Sequence, residues 1–369
     1  MTSSSRVAAR HAANRPPHIL VVRNDKLGDF MLAWPALACL KAAAPQARIS
    51  VLVPAYTAPL AELCPWIDAI IVDPGDGAGK QAQRELLARL RSERFCAMLT
   101  LYSTPRIGWL GWRVGIPCRV APATKWAQLF YNHRVVQRRS RSDKPEYLYN
   151  VELAEALLAA QGRQPETRPT PPYWPLSPDT VAAQRGSMAE TLELDPSRPW
   201  LFLHAGSGGS AVNLSSPQYA QLAAAIDTRL AADGIRAHWV LTAGPGEAPA
   251  AQALCETLRG TGVQAKVLPP RTSLADFALA LSAADLFVAG STGPLHIAGC
   301  LNRPTAGFYP SRRSATALRW QTCNDESRRL AFSPPEGAGE SEMSAIDLEA
   351  AATAISALVS RRAAETFAS

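Results

Sequence analysis

Six prolines (Pro165, Pro169, Pro171, Pro172, Pro175 and Pro178) fall between Arg163 and Pro178, a density that no helix or central strand can hold. They cut a chain of 369 residues into two parts of ordinary domain size. Short apolar runs alternate with stretches of helical spacing on both sides of the cut. Before it, His18–Arg23 (HILVVR), Arg48–Val53 (RISVLV), Ala69–Val72 (AIIV) and Phe95–Leu101 (FCAMLTL) read as strands. Helices are expected from Asp29 to Ala44 and from Gln81 to Arg94. After it, Trp200–His204, Arg236–Leu241, Asp285–Ala289 and Pro304–Tyr309 restart the pattern. This βαβα rhythm is that of a parallel, doubly wound sheet. The expected fold is α/β: two Rossmann-like domains facing each other across a cleft suited to a two-substrate reaction. The division is an N-terminal tail (1–17), a first domain (18–165), a linker (166–195), a second domain (196–343) and a C-terminal helix (344–369).

Composition narrows the classes. Hydrophobic residues make up 47% of the chain, enough for a sizeable core in each half. No stretch approaches the ~20 uninterrupted apolar residues of a membrane-spanning helix. Met1–Pro17 carries Arg6, Arg10 and Arg15 but no apolar core, and so reads as a disordered tail rather than a secretion signal. Seven cysteines stand singly with no CxxC, which points to reduced thiols in a cytoplasm and away from a disulfide framework or a zinc site. The formal net charge is +7, and Arg134, Arg138, Arg139, Arg141 and Lys144 crowd one segment beside His133. Such a patch suits an anionic partner, or it is a solubilising loop. Nucleic acid is disfavoured because the patch lacks interleaved stacking aromatics.

Three loops, each at the end of an expected strand, can carry chemistry. In Asn24-Asp25-Lys26-Leu27-Gly28-Asp29-Phe30, Gly28 allows a tight turn and Asp29 falls at a helix start. Asp29 is then either the cap of that helix or a carboxylate able to accept a proton. In Ala289-Gly290-Ser291-Thr292-Gly293-Pro294-Leu295-His296, Ser291 and Thr292 offer capping oxygens and Pro294 suits a first helical turn. The free N–H groups of such a start, with the helix dipole, would bind a diphosphate, and His296 would sit one turn in. The alternative is a well-capped structural helix with a packed histidine. In Ala205-Gly206-Ser207-Gly208-Gly209-Ser210 an anion-binding nest can form. Gly206, Gly208 and Ala211 also satisfy a dinucleotide fingerprint, but Asn213, Ser215, Ser216 and Pro217 interrupt the helix it requires and Leu241-Thr242-Ala243 supplies no acidic residue. A nicotinamide dehydrogenase is therefore disfavoured. Glu247, in the loop Ala243-Gly244-Pro245-Gly246-Glu247, could hydrogen-bond a ribose or simply be solvated.

The segments ILVVRNDKLGDFMLAWPALACLKAAAPQARISVLV, LFLHAGSGGSAVNLSSPQYAQLA, AGPGE and DLFVAGSTGPLHIAGCLNRPTAGFYP together resemble glycosyltransferase family 9, the ADP-heptose:lipopolysaccharide heptosyltransferases. The resemblance spans most of the chain in the expected order. It implies a GT-B fold, with acceptor on the first domain and nucleotide sugar on the second, and an inverting, metal-independent transfer that needs no cofactor beyond its ADP-heptose or other nucleotide-sugar donor. It also implies that Asp29 is the base and that Ser207, Ser291, Thr292, Gly293, Pro294 and His296 bind the donor diphosphate. Glu247 would hold the ribose, while Lys26, Arg138 and Arg139 would face an anionic glycolipid or glycan. The expected place is the cytoplasm, with peripheral contact at the inner face of the membrane.

Two positions depart from the pattern. Val212 stands where family members carry a phosphate-binding lysine, and Ser291 stands where they carry an aspartate. Arg271, Arg312 or Arg313 could replace the missing cation. Two other readings keep the fold: a family member that binds a nucleotide sugar without catalysis, and a transferase acting on a protein hydroxyl.

Overall fold

The computed structural model describes residues 16–206, 208 and 212–367. Residues 1–15 of the expected tail, and Ser207, lie outside them. The elements run β1 (His18–Val22), α1 (Leu27–Met31), α2 (Trp34–Ala43), β2 (Arg48–Pro54), β3 (Ala69–Asp73), α3 (Lys80–Ser92), β4 (Ala97–Thr100), α4 (Pro105–Val114), β5 (Cys118–Pro122), β6 (His133–Val135) and α5 (Glu146–Ala160). They continue α6 (Pro178–Leu192), β7 (Trp200–His204), α7 (Ser216–Ala232), β8 (His238–Leu241), α8 (Ala248–Gly260), β9 (Ala265–Val267), α9 (Leu274–Ala280), β10 (Leu286–Gly290), α10 (Gly293–Cys300), β11 (Thr305–Phe308), β12 (Arg329–Phe332) and α11 (Leu348–Phe367).

The described residues form two six-stranded sheets, both wholly parallel. The first has the order β3-β2-β1-β4-β5-β6 and the second β12-β11-β10-β7-β8-β9. Counted from its own first strand, each has the doubly wound Rossmann order, with the switch point between β1 and β4 in one and between β7 and β10 in the other. The α/β expectation of two Rossmann-like sheets therefore holds. Four strands, β5, β6, β9 and β12, had no apolar run to announce them. β6 and β12 are edge strands with half-solvated residues, so burial leaves no pattern in them.

The chain forms two compact units. One comprises the residues up to Asp25, Pro35–Gln137 and Asn150–Pro169; the other comprises Lys26–Trp34, Arg138–Tyr149 and Thr170 onward. The first packs α3 and α4 on its sheet through Leu86, Leu90, Ile107 and Leu110 against Leu20, Val22, Leu52 and Met98. The second packs α7 and α11 on its sheet, with Tyr219, Ile226, Ile355 and Leu358 against Leu201, Leu203, Leu286 and Val288. Burying each such side chain contributes roughly 1.5–3 kcal/mol.

Two expectations change. The single helix expected over Asp29–Ala44 is two, because Pro35 sits in the first turn of α2 and its ring cannot follow a continuous helix through residue 31. Residues 178–192, assigned to the linker, are the helix α6. Ser177 caps it by accepting the N–H of Thr180 at 3.1 Å, and Met188 and Leu192 are buried. Proline at its first position is what a helix start tolerates. No described helix is long and apolar enough to cross a membrane. All seven cysteines are free thiols.

Candidate functional site

The site is built from the loops that leave the carboxyl ends of β7, β8 and β10. β10 ends at Gly290, and Thr292 takes the N-cap position of α10 in extended conformation, with Pro294 in the first turn. The hydroxyl of Thr292 does not cap its own helix. It is buried with no hydrogen-bond partner among the described residues, and so is Nδ1 of His296 one turn on. Burial pulls the His296 pKa down to about 4, so its ring is neutral at neutral pH. Two buried polar atoms left unsatisfied at the start of one helix are unusual in a purely structural cap. Ser291 and Gly293 are half-buried beside them.

Asn213 braces the loop after β7 and lies against the end of β10. Its Nδ2 donates to the carbonyls of Ala205 at 2.9 Å and Gly206 at 3.3 Å, while its Oδ1 accepts from the Leu214 N–H at 3.0 Å and from the Tyr219 hydroxyl. A side chain at Gly290 would collide with this carboxamide. Sequence reasoning missed Asn213, since an asparagine between loop and helix looks like ordinary turn chemistry.

The carboxylate of Glu247, at the N-cap of α8, accepts from the N–H groups of Gly208 at 2.9 Å and Gly244 at 2.8 Å. Nε2 of His204 lies 3.8 Å from it, and Nδ1 of His204 is 3.0 Å from the Thr242 hydroxyl. Burial holds the His204 pKa below its usual value despite the neighbouring carboxylate. A Cβ on Gly206 would fall on the Glu247 carboxylate and push it from this position. Glu247 is thus oriented, not simply solvated. His204 was visible in the sequence only as the polar end of an apolar strand.

The third part is α1, which groups with the second unit although it follows the first strand of the chain. It packs along α10. A Cβ on Gly28 would stand 2.9 Å from Cδ2 of His296 and 3.6 Å from the Gly293 Cα, and one on Gly293 would strike the Leu27 side chain. At the far end the Cys300 thiol donates to the Met31 carbonyl at 3.2 Å. The starts of α1 and α10 are therefore side by side. The N-cap of α1 is Lys26, which is exposed; Asp29 is half-buried in the first turn, not in the capping position. Gly28 lies within this helix, so its reason is the close approach of the imidazole, not a tight turn.

Of the remaining expected residues, some are held in ion pairs or packing. In the second unit Arg139 donates to the buried Glu146 carboxylate at 2.6 Å, and Arg319 reaches the other oxygen at 3.3 Å from two nitrogens. Arg319 also donates to the Arg139 carbonyl at 3.1 Å, so Arg139 is built into an ion-pair cluster while Arg138 is exposed. Val212 packs against the hydrophobic core. Of the arginines that could replace the missing lysine, Arg312 bonds the Ser341 hydroxyl at 2.7 Å and the carbonyl of Arg313 accepts from Ser142. Nε and Nη2 of Arg271, in the loop after β9, are buried without a partner among the described residues. In the first unit, Asp73 holds Asn24 and Arg106, each at 2.5 Å, fixing the turn after β1. Burial raises the Asp73 pKa, but these bonds and that of the Gly75 N–H outweigh it and leave it lowered.

The second sheet is doubly wound, and the oriented loops stand over its switch point, where open α/β sheets bind their ligands. Residues 83–328 match the profile of glycosyltransferase family 9 (heptosyltransferase), and the chain belongs to that family. The matched span begins beyond Asp29. A provisionally named glycosyltransferase of Haemophilus influenzae is 45% identical over 329 residues, 88% of this chain and 91% of that one. Lipopolysaccharide heptosyltransferase 2 of Salmonella typhimurium is 26% identical over 305 residues, 79% and 82% of the two chains. Among solved structures, Escherichia coli ADP-heptose lps heptosyltransferase II has the same fold, with a TM-score of 0.71 at 20% identity, covering 94% of this chain and 99% of that one. The chain is a glycosyltransferase related to the lipopolysaccharide heptosyltransferases.

Proposed function

We propose that the chain transfers a heptose or related sugar from a nucleotide-sugar donor, with ADP-heptose as the first candidate, to a lipopolysaccharide core or similar anionic glycan. The observation that carries this reading is the packing of α1 on α10, which puts the helix of Asp29 beside the start of the helix of Thr292 and His296. Asp29 accepts the proton of the acceptor hydroxyl as that oxygen attacks the anomeric carbon. The bond from that carbon to the diphosphate oxygen breaks on the opposite face, configuration inverts, and the nucleoside diphosphate leaves. Its growing charge is met by the Thr292 hydroxyl, by N–H groups at the start of α10 and by the dipole of that helix. Neutral His296 supplies a hydrogen-bonding nitrogen without adding charge. Glu247 takes the ribose, and Arg271 supplies the cation that Val212 cannot. The reaction so written draws on no metal or cofactor.

The names of the Salmonella and E. coli proteins support the sugar and the donor nucleotide in this reading. It places the work on the cytoplasmic side of the membrane. The test is Asp29→Ala with ADP-heptose. Turnover should fall by about three orders of magnitude, as removing an essential proton acceptor does, with ADP affinity unchanged in calorimetric titration. Wild-type turnover removes Asp29 from its role. Preference for UDP or GDP changes the donor, and failure of ADP, UDP, GDP and ADP-heptose alike to bind rejects catalysis at this site.

A further inference from the structure

The first unit carries an exposed aromatic face that the proposed chemistry does not use. On α4, Ile107, Leu110 and Gly111 face the core, while Pro105, Trp109 and Trp112, at i, i+4 and i+7, face outward. Trp109 is 41% exposed and Trp112 is 55% exposed. A single helical turn at Trp126–Phe130 lies against α4. Gly108, with no side chain, admits Phe130, whose Cβ would be 3.0 Å from any Cβ placed there, and the rings of Phe130 and Trp112 are 6.4 Å apart. That turn exposes Trp126 by 81% and Leu129 by 67%, three residues apart and so on one side of a 3₁₀ turn. Tryptophan is a residue that folding normally covers, and here three are left out on α4 and the turn packed against it.

Charge along this segment is one-sided. From Arg94 to Gln137 the chain has Arg94, Arg106, Arg113, Arg119, Lys125 and Arg134 and no aspartate or glutamate. Arg106 is occupied by Asp73 and Asp76, and Arg119 by the carbonyls of Phe130 and Ile116. Arg113, Lys125 and Arg134 are exposed, with no carboxylate partner among the described residues. A second copy of this chain meeting the face on a two-fold axis would bring these cations against themselves. An anionic bilayer surface complements both features, because tryptophan settles at the headgroup layer and each nearby cation is drawn to lipid phosphate.

We propose that this face docks the protein on a bilayer containing anionic phospholipid. Trp109, Trp112, Trp126 and Leu129 enter the headgroup layer, and Arg113, Lys125 and Arg134 pair with phosphates. The proposal is independent of the donor and acceptor of the reaction. It is tested by co-sedimenting the full chain with vesicles of phosphatidylcholine alone, or of phosphatidylcholine with roughly a third phosphatidylglycerol. The expected result is binding to the anionic vesicles only, weakened in ~0.5 M salt, where charges are screened within a few ångströms. The triple variant W109S/W112S/W126S and the charge reversal R113E/K125E should each lose about tenfold or more in binding. Both should keep wild-type circular dichroism and ADP affinity. Should the triple variant fail to fold, the charge reversal, made at exposed positions, carries the test. Equal binding to both vesicle types, or wild-type binding by the charge reversal, overturns the proposal. So does a change of oligomeric state in the variants without vesicles, which would make the face a protein interface.

Discussion

Replacing Gly28 with alanine sets two effects of known size against each other. Gly28 is the second residue of α1, and alanine is favoured over glycine within a helix by about 1 kcal/mol. By propensity alone the variant should be more stable. The added Cβ, however, would stand 2.9 Å from Cδ2 of His296 and 3.6 Å from the Gly293 Cα. Non-bonded carbons rest at about 3.5–4.0 Å, so the overlap with the imidazole exceeds half an ångström. His296 is only 3% exposed, and the backbone of Gly293 stands close by as well. Overpacking of this kind costs roughly 1–3 kcal/mol. The net expectation is a loss of about 1 kcal/mol, read as a lower urea midpoint at unchanged slope. Where α1 moves off α10 to relieve the overlap, Asp29 moves with it, and a displacement near 1 Å can cost on the order of a hundredfold in turnover. Gly28→Ala should therefore lose far more activity than stability. A variant at least as stable as wild type and equally active refutes the claim that this glycine exists for close approach.

Thr292→Val removes a buried hydroxyl that has no partner among the described residues. The unliganded protein should gain about 1 kcal/mol while ADP affinity falls; unchanged affinity in calorimetry contradicts the donor role. His296 has a folded pKa of about 4 against 6.5 unfolded, so the unfolded state binds the extra proton. Stability should fall as pH drops from 6.5 toward 4, by up to roughly 3 kcal/mol from this residue. His296→Gln should flatten that dependence in urea midpoints measured between pH 7 and pH 4.5, and an identical slope would count against it. Glu146→Ala leaves Arg139 and Arg319 facing each other around a site where the carboxylate is 1% exposed. The loss should be on the order of 3 kcal/mol or more, and a Tm within a degree or two of wild type would show that the cluster is not a buried ion pair in solution.

Much of the fold was legible because central parallel strands are buried on both faces and announce themselves locally. His18–Val22, Arg48–Pro54 and Trp200–His204 appear within a residue or so of where their apolar runs place them. The Gly290–His296 loop was legible for a similar reason: a strand end, hydroxyl residues and a proline in sequence specify a helix start without outside help. The edge strands β6 and β12 were not, since half-solvated positions impose no pattern. Nor was α6, because the prolines that end one element also begin another.

The sequence by itself determined the α/β class, the two sheets and which loops leave strand ends, all of which follow from burial and turn chemistry within short windows. Only the tertiary structure decided that α1 lies on α10, that Asn213 lies against the end of β10, and that Glu247 accepts the Gly208 N–H across 39 residues of chain. A glycine kept small by a histidine far along the chain, or a carboxylate aimed by a distant backbone N–H, satisfies its partner only after folding. Neither segment carries a local mark of the other.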